Sequence, residues 1–228
     1  MVPYPLPTES ATPQVALSDS TQIQGTSVVL NNISWQQYER LLEILGDRPA
    51  TRLTYDNGFL EIMTPLPDHE YFKQTIGLAV NDIAEALEMD CDSYGSTTWR
   101  KELGQAGIEP DDCFYIQNEP LIRGKLEFDL TTDPPPDLAI EIDYSSKSLN
   151  RFPIYARLGI PEIWRYEAGI LTVHLLEHGV YRESKTSLAF PMLIVQELPS
   201  LIEAYRPHGK RAMRRAFRQW AQDKLELF

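Results

Sequence analysis

Residues 137–144, DLAIEIDY, limit what this chain can fold into more than any other segment. In a strand, successive side chains point to opposite faces. Leu138, Ile140, Ile142 and Tyr144 then share one face, and Asp137, Ala139, Glu141 and Asp143 share the other. The first face demands an apolar layer. The second carries three carboxylates, and two ionised carboxylates about 4 Å apart repel by about 4 kcal/mol at an effective dielectric of 20. If this row meets Asp111 or Asp112 on a neighbouring strand, a cation is the simplest compensation. Hard divalent ions such as Mg²⁺ take a couple of carboxylates together with water and phosphate. The competing reading is an antiparallel sheet with one wet, polar face.

The surrounding sequence supplies the rest of a mixed sheet. Ser34 with Gln37 three residues on is a capping box, and Trp35, Tyr38, Leu41, Leu42 and Leu45 form one helical face that Gly46 ends. Asn57-Gly58 between two apolar-rich runs predicts a type I′ hairpin. A longer helix is expected over roughly 69–88, with Ile76, Ala79, Val80, Ile83 and Leu87 inward. Strands are expected at 92–99, 112–117 and 137–144, a short helix at 149–158 stopped by Gly159, then the strand EIWRY. His178-Gly179 reads as another hairpin turn, and a last helix covers 209–225. Helix, three strands, helix, strand is an α+β (mixed α/β) order with hairpins added at both ends. With 228 residues and 43% apolar content the chain can bury a core of its own. Residues 1–30, with few clustered apolar side chains, read as a flexible arm, 31–205 as the folded domain, and 206–228 as a basic amphipathic helix packed on it.

The net charge of −12 argues against a general nucleic-acid coat, whose affinity comes from neutralising phosphates. It leaves room for a nuclease, which needs acids at its centre and bases only at a rim. No apolar run reaches the roughly 18 residues of a membrane span. The start MVPYPLPTES has no signal-peptide pattern, so Cys91 and Cys113 read as reduced core thiols and the protein as cytoplasmic. Phosphate-loop, dinucleotide, zinc-protease and nucleophile-elbow motifs are absent.

Three segments carry a resemblance: EPDDCFYI (109–116), PPDLAIEID (135–143) and YARLGIPEIWRY (155–166). They resemble the Uma-type putative restriction endonuclease family, a branch of the PD-(D/E)XK nuclease superfamily, over about residues 30–205. The resemblance implies an αβββαβ core and a Mg²⁺-dependent, or Mn²⁺-dependent, DNA endonuclease. It implies a metal held by Asp111 of Glu109-Pro110-Asp111 and by Glu141 of Ala139-Ile140-Glu141. A lysine is expected two residues after Glu141, but Asp143 stands there. Lys101 and Lys147 are the candidates for a displaced lysine, although each reads first as an exposed surface lysine. Without such a lysine the alternative is a catalytically inactive nuclease-fold protein that binds DNA or another protein. His69, which the family often has, and Glu61 are further candidates for the site. His69 also reads as a polar helix-start residue beside an Asp68 N-cap. His174 and Trp164 read as strand and core residues.

The acidic body ends in a basic island: residues 205–228 hold seven bases and two acids. Arg211, Arg214, Arg215 and Arg218 follow helical spacing, with Met213, Phe217, Trp220 and Ala221 toward the opposite face. They read either as a grip on the phosphates of double-stranded DNA or as partners of the acidic body. A nuclease of this kind is expected to be a homodimer, because two-fold symmetry matches a duplex.

Overall fold

The computed structural model describes residues 27–46, 51–64, 67–143 and 149–226. Two sheets form the frame. The smaller is antiparallel and joins β1 (Ser27–Leu30), β3 (Phe59–Met63), β2 (Arg52–Asp56), β6 (Ala106–Ile108) and β5 (Trp99–Lys101) in that order. The larger runs β11 (Val180–Ser184), β10 (Ile170–Glu177), β9 (Glu162–Glu167), β8 (Leu138–Asp143), β7 (Asp112–Tyr115) and β4 (Asp92–Ser93). Within it only β8 and β9 are parallel, and the helix α4 (Phe152–Leu158) makes the crossover between them. A helix is the usual solution for returning a chain to a parallel neighbour.

Local chemistry sets the element ends. Ser34 and Gln37 make the reciprocal capping box that starts α1 (Trp35–Leu45), and Gly46 ends it at φ 56°. Asn57 and Gly58 both have positive φ, as a type I′ turn requires, and join β2 to β3. The long helix α2 spans Pro67–Ala86. Asp68 therefore lies inside the first turn rather than capping it. Two short helices, α3 (Glu119–Ile122) and α5 (Leu198–Tyr205), precede the final α6 (Lys210–Leu225). The order α2–β4–β7–β8–α4–β9 is the expected αβββαβ core, with β5 and β6 inserted between its first and second strands.

The strand expected over 92–99 divides. Asp92–Ser93 joins the larger sheet and Trp99–Lys101 the smaller, because Gly95 turns the chain at φ 56° between them. Ser27–Leu30, the last four residues of the segment read as an arm, pair with β3.

The wet-face reading of β8 is overturned, since β8 is buried along its whole length. Leu138, Ile140 and Ile142 pack under α2 with Ile76, Val80 and Ile83, and Met213 and Phe217 of α6 complete that core. On the other face, Ala139 joins Trp99, Cys113, Ile154, Tyr155 and Ile163. The smaller sheet and α4 thus cover the acidic face. A third cluster, Trp35, Tyr38, Leu53, Tyr55 and Leu60, fastens α1 to the smaller sheet.

Tyr38 stacks on Tyr55 with ring centroids 4.8 Å apart, and its ring lies directly over Gly107. A Cβ at Gly107 would sit 2.7 Å from Tyr38 Cζ. Gly107→Ala is expected to cost about 1–3 kcal/mol, as overpacking of a fixed core does. Urea unfolding checks this through a lower midpoint at unchanged slope.

Candidate functional site

The site forms where β7, β8, the hairpin β2–β3 and the starts of α2 and α4 meet. Asp111 directly precedes β7. Its N–H donates to Ile140 O at 3.1 Å, and its Oδ2 accepts from Ile142 N at 2.6 Å. Those two groups flank Glu141, so the backbone ladder itself sets Asp111 beside Glu141. Both are buried, at 0% and 2% exposure. Two carboxylates so deep must be neutralised or coordinated, because uncompensated burial of an ion costs several kcal/mol.

Two arginines meet that need, with a histidine beside one of them. Arg52 of β2 places Nη1 2.8 Å from Asp111 Oδ1 and donates to Pro110 O at 2.8 Å. His69 of α2 brings Nε2 within 2.9 Å of the same Oδ1. Glu70 stands behind both, 3.4 Å from Arg52 Nη2 and 3.5 Å from His69 Nδ1. Arg151, the residue before α4, donates from Nη1 to Glu141 Oε2 at 2.7 Å. Its Nη2 is 3.6 Å from Glu61 Oε2 on β3. One helical turn on, the Tyr155 hydroxyl donates to Glu141 Oε1. Arg151 and Tyr155 are four residues apart and therefore face the same way.

The electrostatics follow from these contacts. Burial works against the Arg151 charge, but attraction from Glu141, then Asp111, Tyr155 and Glu61, outweighs it and holds the guanidinium more firmly protonated than a free arginine. Burial first, and then the Glu141 charge, push the Tyr155 phenol well above its ordinary pKa. Tyr155 is therefore a fixed neutral donor to Glu141. Burial also raises the nearby Glu109 carboxyl, against bonds from Thr98 and the Leu53 N–H.

The structure gathers some of the expected residues and separates others. Asp111, Glu141, Glu61 and His69 come together. Asp143, in the lysine position, accepts from Arg165 Nε at 2.6 Å, and Arg165 lies in register with Glu141 on the parallel strand β9. Lys101 is elsewhere. It pairs in register with Ala106 and lines a surface depression with Trp35, Glu39 and Arg40. Lys147 lies outside the described residues. Of the four C-terminal arginines, Arg214 and Arg218 bind Asp82 of α2, while Arg211 and Arg215 face solvent. His174 is on β10 and Trp164 is a buried core residue.

Sequence reasoning missed Arg52, Arg151, Tyr155 and Arg165. The spacing of Arg151 and Tyr155 ahead of Gly159 was a signal, since both fall on one face of the short helix that follows the acidic strand. Arg52 gave none, because its pairing depends on the hairpin folding over Pro110.

Among the described residues, no group of three or more His, Cys, Asp or Glu side chains is arranged to cage a metal. The donor set of Asp111 and Glu141 does fit a Mg²⁺-type ion, which binds through one or two carboxylates and fills its remaining positions with water and phosphate.

Comparison with known proteins adds the following. The model of the Uma2 family, described as "Putative restriction endonuclease", matches residues 35–205. No curated protein matches. A solved structure described as a putative nuclease belonging to DUF820, from Anabaena variabilis ATCC 29413, is similar at 13% identity. It covers 80% of this chain and 97% of its own, with a TM-score of 0.47.

Tyr155→Phe removes a buried hydroxyl donor from Glu141 and is expected to destabilise the fold by about 1–3 kcal/mol, the usual cost of stripping a buried acceptor of its partner. Guanidinium denaturation of the variant against the parent measures it.

Proposed function

This chain belongs to the Uma2 family of putative restriction endonucleases, and on that premise we propose that it hydrolyses phosphodiester bonds of double-stranded DNA at Asp111 and Glu141. The observation that carries the reading is the buried Arg151 guanidinium on Glu141, at 2.7 Å. A nuclease site needs fixed carboxylates and a fixed positive charge close together, and this pair supplies both where Asp143 does not.

The chain's own residues divide the work. Asp111 and Glu141 would hold Mg²⁺, or Mn²⁺, through their carboxylate oxygens. When bound, the ion would polarise the scissile phosphate and lower the pKa of a water. Arg151 is a permanent cation, and arginine's planar fork suits a phosphate that gains charge as the bond breaks. Tyr155 orients Glu141 by its hydrogen bond, and Arg52 with His69 fixes Asp111. Arg165 neutralises Asp143, so the acid in the lysine position adds no net repulsion to the phosphate.

A second reading, an inactive nuclease-fold module that binds DNA or protein, is favoured by one observation. Both site carboxylates are already ion-paired within the chain, Asp111 to Arg52 and Glu141 to Arg151. We further read the protein as a cytoplasmic homodimer with a domain at 31–205, preceded by an arm and followed by a basic helix on the same domain. Among the described residues no helix is long and apolar enough to cross a membrane.

Supercoiled plasmid with Mg²⁺ or Mn²⁺ tests the proposal. Nicking is expected with either ion and none with chelator. Glu141→Gln should slow it by more than about 100-fold, since loss of groups merely supporting a metal ligand already costs 10–100-fold. A parent protein that leaves plasmid intact with both ions establishes the inactive module instead.

A further inference from the structure

We infer that one row of α6, Arg211 and Arg215 with Lys210 beside them, grips the phosphate backbone of duplex DNA; this rests on the reading of DNA as the substrate. Between residues 206 and 222 the chain has six bases and no acid, on a protein of net charge −12. A polyanion approaching this body is repelled in most directions and attracted here.

The six bases are not equivalent. Arg206 pairs with Glu203, and its guanidinium lies 5.7 Å and 5.6 Å from the ring centroids of Tyr71 and Phe72. Arg214 and Arg218 face α2 and close on the fully buried Asp82, Arg214 with Nε at 2.8 Å and Nη2 at 3.0 Å. These three hold the helix to the body. Lys210 falls in the same row as Arg214 but, among the described residues, meets a neutral amide, Gln74 Oε1, at 3.3 Å. Arg211 and Arg215 are exposed, one turn apart, and have no acidic partner among the described residues. Helix stability does not account for Lys210 and Arg211 either, because cations in a first turn oppose the helix macrodipole.

Position ties this row to the site. Gln74 lies one turn beyond Glu70 on α2, about 6 Å along the axis. Glu70 contacts both Arg52 and His69, the two side chains on Asp111 Oδ1. A strand held at Lys210 therefore lies within a few nucleotides of the end of α2 that carries His69, since duplex DNA has one phosphate per 3.4 Å of axis on each strand.

The test measures binding of the full-length protein to a short duplex by fluorescence anisotropy, in chelator, between about 50 and 200 mM salt. The variant K210Q/R211Q/R215Q should lose about 0.9 from the salt slope for each phosphate contact removed, up to about 2.7, with its melting temperature unchanged. R214Q/R218Q should keep the slope and melt lower by more than about 4 °C. An unchanged slope in the triple variant, an equal loss of slope in the double variant, or no binding at the lowest salt overturns the inference. Cleavage is silent in chelator, so these results stand apart from the failure or success of hydrolysis at Glu141.

Discussion

Glu141 and Arg151 share one buried ion pair, and the surrounding architecture exists around it. Glu141 lies in the middle of a strand covered on both faces and is only 2% exposed. An isolated carboxylate there would cost several kcal/mol, so a cation must come from elsewhere in the chain. The crossover between the parallel strands β8 and β9 brings it. The chain leaves β8 and re-enters as α4, and this delivers Arg151 and Tyr155 to the two oxygens of Glu141. The smaller sheet then closes over the pair with Glu61 and Met63, both within reach of the same guanidinium.

Asp111 is held by a parallel arrangement from the other side. Its backbone and side chain occupy the ladder positions on either side of Glu141, while Arg52 neutralises it from the hairpin and His69 of α2 contacts the same oxygen. The close fit of α2 on β7 contributes. Gly77 lets the helix approach so near that a Cβ there would fall 2.6 Å from Asp112 Oδ2. Such a collection of buried charges is a poor way to gain stability, because well-packed apolar residues of similar volume often do as well or better. Its place at the meeting point of six elements is understandable if the charges serve chemistry on an anionic substrate.

Much of this was legible from local rules. The capping box at Ser34, the Asn57-Gly58 turn, the alternation of 138–143 and the apolar stripe of α2 each depend on residues close in sequence, and each formed as its pattern requires. The pairing of Asp111 with Glu141 followed from the family resemblance and the order of strands. What stayed hidden depends on tertiary closure. Alternation along 137–144 reports two faces but not what covers them, and the carboxylate face proved to be roofed by the smaller sheet. The missing lysine drew attention to other lysines, whereas the positive charge came from arginines whose partners lie 10 and 22 positions away in sequence. The division of Trp99 from Asp92 between two sheets turned on a single glycine conformation.

We expect Glu141 and Arg151 to be energetically coupled, with Tyr155 on Glu141 and Glu61 beside Arg151 adding to the pair. A double-mutant cycle of Glu141→Gln and Arg151→Met, read by chemical denaturation at neutral pH, tests it directly. Each single change should destabilise the protein, Arg151→Met by about 3–5 kcal/mol because it strands a buried charge. The double variant should be more stable than Arg151→Met alone, with a coupling of more than about 1.5 kcal/mol. Losses that add to within about 0.5 kcal/mol, as independent sites do, would contradict the account.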